Sequence, residues 1–188
     1  MLLGTTAPSG RLPFTWPKRY ADLQFQNAAE SWPGVDGDVH YTEGTAVGYR
    51  WYSKHDVQPQ WWFGHGVGYS SFQTQVLKVV ERADGDWDVH VRVKNTGSDS
   101  GQEVIQLYSY PEHQQGEREL RAFDKTKLLD PGAEESLMLI VRKRDLAHWQ
   151  NGLWRLEAGE YALALGENAG AVSTAAVVHI EKTLTWQP

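Results

Sequence analysis

The sequence predicts a mostly β protein in which a seven-stranded sandwich follows an irregular N-terminal arm. Three observations support this fold class. The 188 residues include 18 glycines and eight prolines, a turn-rich composition that suits short strands better than helices. Aromatic residues, which favour strands, make up 12% of the chain. From Tyr69 onward, short apolar runs are separated by turn signals.

The arm, residues 1–68, is predicted to be irregular because prolines and glycines interrupt every candidate helix or strand. It shows no amphipathic pattern, so it is not expected to form a core alone. Its exposed apolar residues are expected to promote association with a missing partner surface or with a second copy of the chain. These residues are Leu2, Leu3, Leu12 and Phe14.

The first two strands of the sandwich are predicted to form a hairpin. Residues 71–82 are followed by Asp84 and Gly85, a pair that favours a hairpin turn. In the second strand, residues 87–94, apolar and polar side chains alternate strictly. A period of two directs one set inward and the other into water. The inward set is Trp87, Val89, Val91 and Val93.

Five further strands complete the predicted sandwich of residues 69–188. One of them, residues 136–142, is apolar on both faces and is therefore predicted to be a buried central strand. Seven strands over about 110 residues are typical of an immunoglobulin-like or fibronectin type III-like sandwich. The five strands are expected at residues 103–110, 118–128, 136–142, 160–166 and 171–180.

Only two short helical pieces are predicted. One is expected within the arm, at residues 18–29. The other is a single helical turn at residues 145–149, for which Asp145 is a candidate N-cap. Strands and turns are therefore expected to account for nearly all of the regular structure.

Charge and composition argue against several classes of function. The formal net charge is −6, and the one tight basic cluster, residues 142–144, is best explained as a solvated strand end, so nucleic acid is not an expected partner. No apolar stretch reaches the roughly 18–20 residues of a membrane span, so a membrane is not expected either. Cysteine is absent and the seven histidines show no ligand spacing, so neither a metal nor another cofactor is predicted.

Glycoside hydrolysis would need two carboxylates flanking the scissile bond, about 5–5.5 Å apart in retaining enzymes and about 6.5–9.5 Å apart in inverting ones. Asp36 and Asp38 flank Gly37 and are explained by turn chemistry. Glu43 is the more interesting candidate, because aromatic neighbours would desolvate it and raise its pKa. The favoured interpretation of Glu43 is nevertheless structural, as a salt bridge with Arg50.

An aromatic-rich stretch near the end of the arm has two interpretations. It could form a platform on which sugars stack, with Trp51, Trp61 and Trp62 as its rings. Alternatively, it is a buried seam between the arm and the sandwich, and this interpretation is favoured. The glycine-rich residues 64–68 are expected to be a tight connection rather than a phosphate loop, because a strand follows them. The stretch comprises Trp51, Tyr52, Trp61, Trp62, Phe63, Tyr69 and Phe72.

Several blocks of sequence match the motifs of one known family in the same order. Residues 8–17 are PSGRLPFTWP, residues 41–52 are YTEGTAVGYRWY, and residues 63–72 are FGHGVGYSSF. They resemble the PSGRLPxTFP, YxEGxxVGYRYY and PFGHGLSYTxF motifs of glycoside hydrolase family 3, the β-glucosidase family. In the last motif, Trp61 and Trp62 replace a Phe or Tyr and a Pro. Later blocks continue the resemblance at residues 93–97, 101–104, 118–123, 131–132, 144–149 and 159–161.

The resemblance implies that the chain is a C-terminal fragment of such an enzyme. Complete members resemble a (β/α)8 barrel followed by an α/β sandwich and a fibronectin type III-like domain, so residues 1–68 would be a remnant of the α/β sandwich and a linker. The catalytic nucleophile and the acid/base of the family would then lie outside this sequence, and Glu43 matches a different motif. The resemblance assigns no cellular location, and the protein would be secreted or periplasmic if it follows exported relatives.

Three functions are therefore considered. The favoured one is a non-catalytic accessory module that stabilises or completes the missing catalytic domains of a family 3 glycosidase, or that self-associates. The second is a carbohydrate-binding module for β-glucosides, with Trp51, Trp61 and Trp62 as the platform and Glu43 and Arg50 as polar contacts. The third is a residual β-glucosidase, retaining like the family, that uses Glu43 and another carboxylate of the arm.

Overall fold

The computed structural model describes residues 1–188 except for Asn27 and the side chain of Gln115. The described residues form a mostly β fold, which confirms the predicted class. The strands are β1 (Phe72–Glu81), β2 (Trp87–Asn95), β3 (Val104–Pro111), β4 (Glu119–Lys125), β5 (Glu134–Val141), β6 (His148–Gln150), β7 (Leu153–Leu156), β8 (Gly159–Asn168), β9 (Ala171–Ile180) and β10 (Leu184–Trp186). The helical elements are α1 (Tyr49–Lys54) and the 3-10 helices Tyr20–Asp22, Gln115–Glu117 and Lys143–Leu146.

Two antiparallel sheets contain the seven predicted strands, and their inner faces share one main apolar core. One sheet has the order β4-β3-β8-β9 and the other has the order β1-β2-β5. The three remaining strands form a small sheet in the order β10-β7-β6, which the sequence pattern did not predict. Each of these strands has only three or four residues, too few for an alternation pattern to be recognised.

The β1–β2 hairpin forms as the alternation pattern predicts. Gly85 adopts a φ of 86° in the turn, a conformation that glycine adopts without strain. In β2, Val89, Val91 and Val93 are fully buried, whereas the polar residues between them face outward. β2 is hydrogen-bonded to both β1 and β5, so burial of its apolar face fixes the register of the whole sheet.

The main core lies between the two larger sheets. Leu107 of β3 and Leu163 of β8 contribute fully buried side chains from one sheet, opposite the valines of β2. Burying one such side chain stabilises the fold by about 1.5–3 kcal/mol. At one corner, the Tyr161 hydroxyl donates a hydrogen bond to the backbone oxygen of Glu157 at 3.1 Å, as in the tyrosine corner of immunoglobulin-like sandwiches.

The prediction that residues 136–142 form a buried central strand is wrong. The strand at this position, β5, lies at the edge of its sheet. Leu139 and Val141 face the core, but Met138 and Ile140 on the opposite face are 49% and 41% exposed. The prediction took apolar side chains on both faces of β5 as a sign that both faces are buried. Single apolar residues are common on protein surfaces, so one face of β5 remains exposed.

The helical piece predicted for residues 18–29 is much shorter in the structure. Its described part contains only the 3-10 helix Tyr20–Asp22, followed by hydrogen-bonded turns, and Asn27 lies outside the described residues. The segment has no apolar stripe to pack on the sandwich, and short helices without such packing are unstable in water. The α-helix of the arm is instead α1, which begins after Gly48.

The helical turn predicted at residues 145–149 is displaced toward the N-terminus. It is the 3-10 helix Lys143–Leu146, and its N-cap residue is Arg142 rather than Asp145. The chain then becomes extended, because residues 148–150 form β6 and pair with β7. Pairing with a neighbouring strand therefore overrides the local helical preference at this position.

Asn95 is a fully buried polar residue at the end of β2. Its side-chain amide donates hydrogen bonds to the backbone oxygens of Asp99 and Leu129 at 2.8 and 2.9 Å. Its Oδ1 accepts hydrogen bonds from the Ser70 hydroxyl at 2.6 Å and from the Gly97 amide at 3.0 Å. The amide is thus well satisfied, and it joins the start of β1 to two loops.

We predict that Asn95→Ala lowers the free energy of unfolding by about 3 kcal/mol or more, because several buried hydrogen-bonding groups lose their partner. Thr96→Ala is the matched control. Its hydroxyl makes one exposed hydrogen bond, to the Ser71 oxygen, so we expect a loss below about 1 kcal/mol. Urea denaturation followed by tryptophan fluorescence measures both values, and similar losses for the two variants would contradict the role given to Asn95.

Candidate functional site

Two segments of the arm, residues 12–16 and 60–65, run side by side. Trp16 and Trp61 form an isolated antiparallel bridge, in which the Trp16 amide donates to the Trp61 oxygen at 2.7 Å. The Gln60 amide donates to the Trp16 oxygen at 2.8 Å. This ladder fixes the backbone of the arm where it approaches the sandwich.

The same ladder accounts for Leu12, which was expected to be exposed. Its amide donates to the His65 oxygen and its oxygen accepts from the Gly64 amide, both at 2.8 Å, and the residue is half-buried. The expectation is therefore wrong for Leu12. It is confirmed for Leu2, Leu3 and Phe14, which are exposed.

A buried glutamine anchors the second arm segment to the sheet. Gln106 of β3 is 3% exposed, and its side-chain amide donates to the backbone oxygens of Gly64 and Glu167, both at 3.0 Å. Its Oε1 accepts a hydrogen bond from the Tyr108 hydroxyl at 2.8 Å. Gly64 has a φ of 81° and lies so close to Gln106 that a Cβ would overlap the amide. This contact therefore requires glycine at position 64.

Helix α1 supplies a second anchor. The Tyr49 ring stacks on Phe63 with centroids 4.9 Å apart and meets Tyr108 edge-on at 6.2 Å. The Tyr49 hydroxyl oxygen accepts a hydrogen bond from the Leu120 amide at 3.0 Å. Burial raises the pKa of the Tyr49 and Tyr108 phenols, so the folded protein favours their neutral forms.

Trp62 lies in the contact between the arm and the sandwich. Its ring meets the buried Tyr52 edge-on at 6.4 Å, and the Arg118 guanidinium lies 6.0 Å from the ring centroid. Gly170, between β8 and β9, packs directly against the indole, and a Cβ there would overlap it. We refer to the residues of this contact as the seam: Tyr49, Tyr52, Trp62 and Phe63 from the arm, with Gln106, Tyr108 and Gly170 from the sandwich.

A second group of aromatic residues remains exposed. Phe14, Trp16 and Trp61 are 48%, 47% and 41% exposed, and we call them the aromatic ridge. The Phe14 and Trp16 centroids are 5.5 Å apart, and those of Trp16 and Trp61 are 5.9 Å apart with planes inclined at 75°. On its other side, Trp61 stacks on His65 at 6.3 Å.

The three tryptophans proposed as a sugar platform occupy separate environments. Trp62 belongs to the seam, and Trp61 belongs to the aromatic ridge. Trp51 lies on α1, half-buried, and stacks on His55 with centroids 4.6 Å apart. Among the aromatic contacts of the described residues, none joins two of these three tryptophans.

The expected salt bridge between Glu43 and Arg50 is wrong. The Glu43 carboxylate accepts a long hydrogen bond of 3.4 Å from the Gln24 side chain. Arg50 pairs instead with Glu119 of β4 at 3.2 Å, and Arg121 pairs with the same carboxylate at 2.9 Å. Helix α1 directs Arg50 toward the sheet, whereas Glu43 stays in the preceding loop.

Sequence reasoning missed one of the three ridge residues, Trp16, whereas Phe14 was expected to be exposed and Trp61 was a platform candidate. Phe14 and Trp16 are two positions apart, and that spacing places side chains on one side of an extended chain. This alternation was the available signal. Within residues 1–26 and 28–188, no three His, Asp or Glu side chains are gathered as a metal site would require. No helix in this described part is long and apolar enough to cross a membrane.

Comparisons with known proteins agree with the fold. Residues 103–169 match the family described as a fibronectin type III-like domain. The chain is 36% identical to a β-glucosidase of Rhizobium radiobacter, covering 100% of this chain and 24% of that protein. It is 31% identical to the thermostable β-glucosidase B of Acetivibrio thermocellus, covering 98% of this chain and 25% of that protein. The chain thus spans about a quarter of the length of these relatives.

Solved structures give the same result. The fold resembles β-glucosidase 3B from Thermotoga neapolitana in complex with glucose, with a TM-score of 0.87 and 33% identity over 97% of this chain and 26% of that one. It also resembles β-glucosidase from Kluyveromyces marxianus in complex with glucose, with a TM-score of 0.88 and 30% identity over 99% of this chain and 23% of that one.

The chain therefore contains a fibronectin type III-like domain. It corresponds to the C-terminal part of glycoside hydrolase family 3 β-glucosidases, which confirms the family resemblance found in its sequence. The assignment of residues 1–68 to a remnant of the α/β sandwich and a linker stays a prediction.

We predict that Gly170→Ala lowers the free energy of unfolding by about 1–3 kcal/mol, because the added methyl group displaces the Trp62 indole from the seam. Gly10→Ala is the control, since a Cβ at Gly10 would meet no atom within 4 Å. In a Trp62→Ala background, Gly170→Ala is expected to cost much less, because the indole is gone. Urea denaturation gives all four values, and additive losses in the double variant would argue against this contact.

A second prediction concerns alkaline pH. Because burial raises the pKa of the Tyr108 phenol, its contribution to stability is complete below its ordinary value of about 10 and is lost as the pH rises above it. Tyr108→Phe is therefore expected to show a shallower decline of unfolding free energy above about pH 10. Val172→Ala, which removes no titratable group, should keep the wild-type decline. Urea denaturation at a series of pH values above about 10 measures the decline in the free energy of unfolding. A decline in Tyr108→Phe as steep as that of the wild type would refute the prediction.

Proposed function

We propose that this chain is a non-catalytic accessory module that packs against the catalytic domains of a family 3 β-glucosidase and stabilises or completes them. The aromatic ridge is the observation that carries the proposal. Its side chains are between 41% and 48% exposed, and two contacts link them into one surface. Contiguous exposed aromatic surface is typical of protein interfaces, where Trp, Tyr and Phe are enriched.

Contacts within the chain hold the backbone that carries the ridge. Trp16 and Trp61 are held by the ladder between their two arm segments, and the seam fixes the neighbouring Trp62 and Phe63 to the sandwich. A backbone that is already held loses less conformational freedom on association, so more of the contact energy remains available for binding. Buried tryptophans are frequent hot spots in interfaces of this kind.

The relatives support a catalytic domain as the partner. Those named above are β-glucosidases, and this chain matches only about a quarter of their length. In such a protein, the counterpart of the ridge is connected to a long stretch of chain that the match does not cover. We propose that catalytic domains cover the ridge, on the same polypeptide or on a separate one, and that an uncovered ridge promotes self-association.

Carbohydrate binding is the alternative that the ridge also suggests, because Trp61 is exposed beside Trp16. The geometry favours protein docking. The Trp16 and Trp61 planes are inclined at 75°, so these two rings do not form one flat stacking surface. Trp51 and Trp62, the other proposed platform residues, are half-buried in separate contacts.

We predict that the chain binds a fragment of the Rhizobium radiobacter β-glucosidase that lacks the region matched here. The double variant Trp16→Ala, Trp61→Ala should bind at least about tenfold more weakly, because the ridge is removed. The matched control is Met138→Ala, Ile140→Ala, which removes exposed apolar side chains from β5 and should bind like wild type. Calorimetry measures the affinities, and equal binding by all three proteins would contradict the proposal.

The ridge double variant and Glu43→Gln test the alternatives. Tryptophan fluorescence of the wild type should not change during titration with cello-oligosaccharides at millimolar concentration. A saturable change that the ridge double variant loses would favour carbohydrate binding over docking. Hydrolysis of an aryl β-glucoside that Glu43→Gln abolishes would overturn the non-catalytic assignment.

A further inference from the structure

A cleft of about 520 Å³ lies between α1 and the sandwich, and none of the ridge residues lines it. Arg50 of α1, Ser109 of β3 and Arg121 of β4 line this cleft together. Trp149 of β6 and Tyr161 of β8 also line it. Its volume falls in the range of about 300–1,000 Å³ that is common for small-molecule sites.

Unpaired hydrogen-bond donors are concentrated in this cleft. Four buried side-chain atoms among the described residues lack a hydrogen-bond partner, and three belong to residues that line the cleft. They are the Nε atoms of Arg50 and Arg121 and the hydroxyl of Ser109, a residue that is only 1% exposed. Buried polar groups are rarely left unpaired, so three in one cleft point to an acceptor that the chain does not itself supply.

The pairing of the two arginines indicates what kind of acceptor is missing. Arg50 and Arg121 share the single carboxylate of Glu119, and each contacts it through Nη1. The two guanidiniums thus share one carboxylate, with Asp145 as a weaker negative neighbour of Arg121. The rest of the lining carries both signs of charge, from Lys54 and from Glu117, Glu157 and Glu160. Burial lowers the pKa of Arg121, and the neighbouring Glu119 carboxylate acts in the opposite direction. What the two guanidiniums lack is an acceptor for their Nε atoms.

A carboxylate fits the free edges of the two arginines. The Nε and Nη2 atoms of a guanidinium form a planar fork that matches two carboxylate oxygens, and neither fork has an acceptor within the described part of the chain. Trp149, which is 52% exposed, adds an aromatic face of the kind on which sugar rings stack.

We propose that this cleft binds a sugar acid. Its carboxylate pairs with Arg50 and Arg121, the Ser109 hydroxyl donates to it, and its ring lies against Trp149. None of the ridge residues lines this site, so ligand binding can be measured separately from docking to a catalytic domain.

Calorimetric titration of the full chain with D-glucuronate tests the proposal. D-glucose keeps the ring without the carboxylate, and acetate keeps a carboxylate without the ring. We expect saturable binding of glucuronate and at least about tenfold weaker binding of both controls. Absence of saturable glucuronate binding, or equal affinity for acetate, would overturn the proposal.

Variants locate the binding. Arg50→Met and Arg121→Met should each weaken glucuronate binding at least about tenfold. Glu119→Gln should strengthen it, because the competing carboxylate is removed, and a purely structural role of the arginines predicts no such gain. Arg92→Met, on the outer face of β2, is the control and should bind like wild type.

Thermal unfolding first shows which variants fold. If Arg121→Met does not fold, the glucuronate affinities of Arg50→Met and Glu119→Gln test the site. Wild-type affinity in either folded arginine variant would refute the site. Loss of binding to the β-glucosidase fragment in Arg121→Met, without any glucuronate binding by the wild type, would assign the cleft to a protein carboxylate and reject the sugar acid.

Discussion

The buried side chain of Gln106 is the contact on which the arrangement of the arm depends. Its side-chain amide donates hydrogen bonds to the backbone oxygens of Gly64 in the arm and Glu167 in β8, and its Oε1 accepts a hydrogen bond from the Tyr108 hydroxyl. Each buried group left without a partner would cost about 1–3 kcal/mol, so displacing the arm would penalise the sheet as well. The arm and the sandwich are therefore coupled in stability, although the arm lacks an extended core of its own.

This coupling divides the aromatic residues of the arm into two groups. Trp61 and Trp62 are adjacent, and in an extended backbone adjacent side chains point to opposite sides. Once Gly64 is fixed on Gln106, Trp62 packs against Gly170 and Trp61 turns outward beside Trp16. The two indoles therefore cannot form one platform, and a single anchor explains both the buried seam and the exposed ridge.

The sequence predicted the parts of the structure that depend on local pattern. The strict alternation of apolar and polar residues in β2 predicted which of its faces points inward. The order of the sequence motifs indicated the family. Contacts between distant residues were not predictable in the same way. Arg50 and Glu119 are 69 positions apart, and both Glu43 and Glu119 were chemically acceptable partners for the guanidinium. The requirement for glycine at position 170 becomes visible only when the Trp62 ring lies over it.

Helix α1 links the seam to the cleft. Successive residues of an α-helix are rotated by about 100°, because one turn contains 3.6 residues, so neighbours face different surroundings. Tyr49 packs on Phe63 in the seam, Arg50 reaches Glu119 in the cleft, and Trp51 lies against His55 near the surface. The packing of Tyr49 therefore also sets the position of Arg50. The guanidinium pair of the cleft therefore depends on the same helix as the seam, because one of its members, Arg50, comes from the arm.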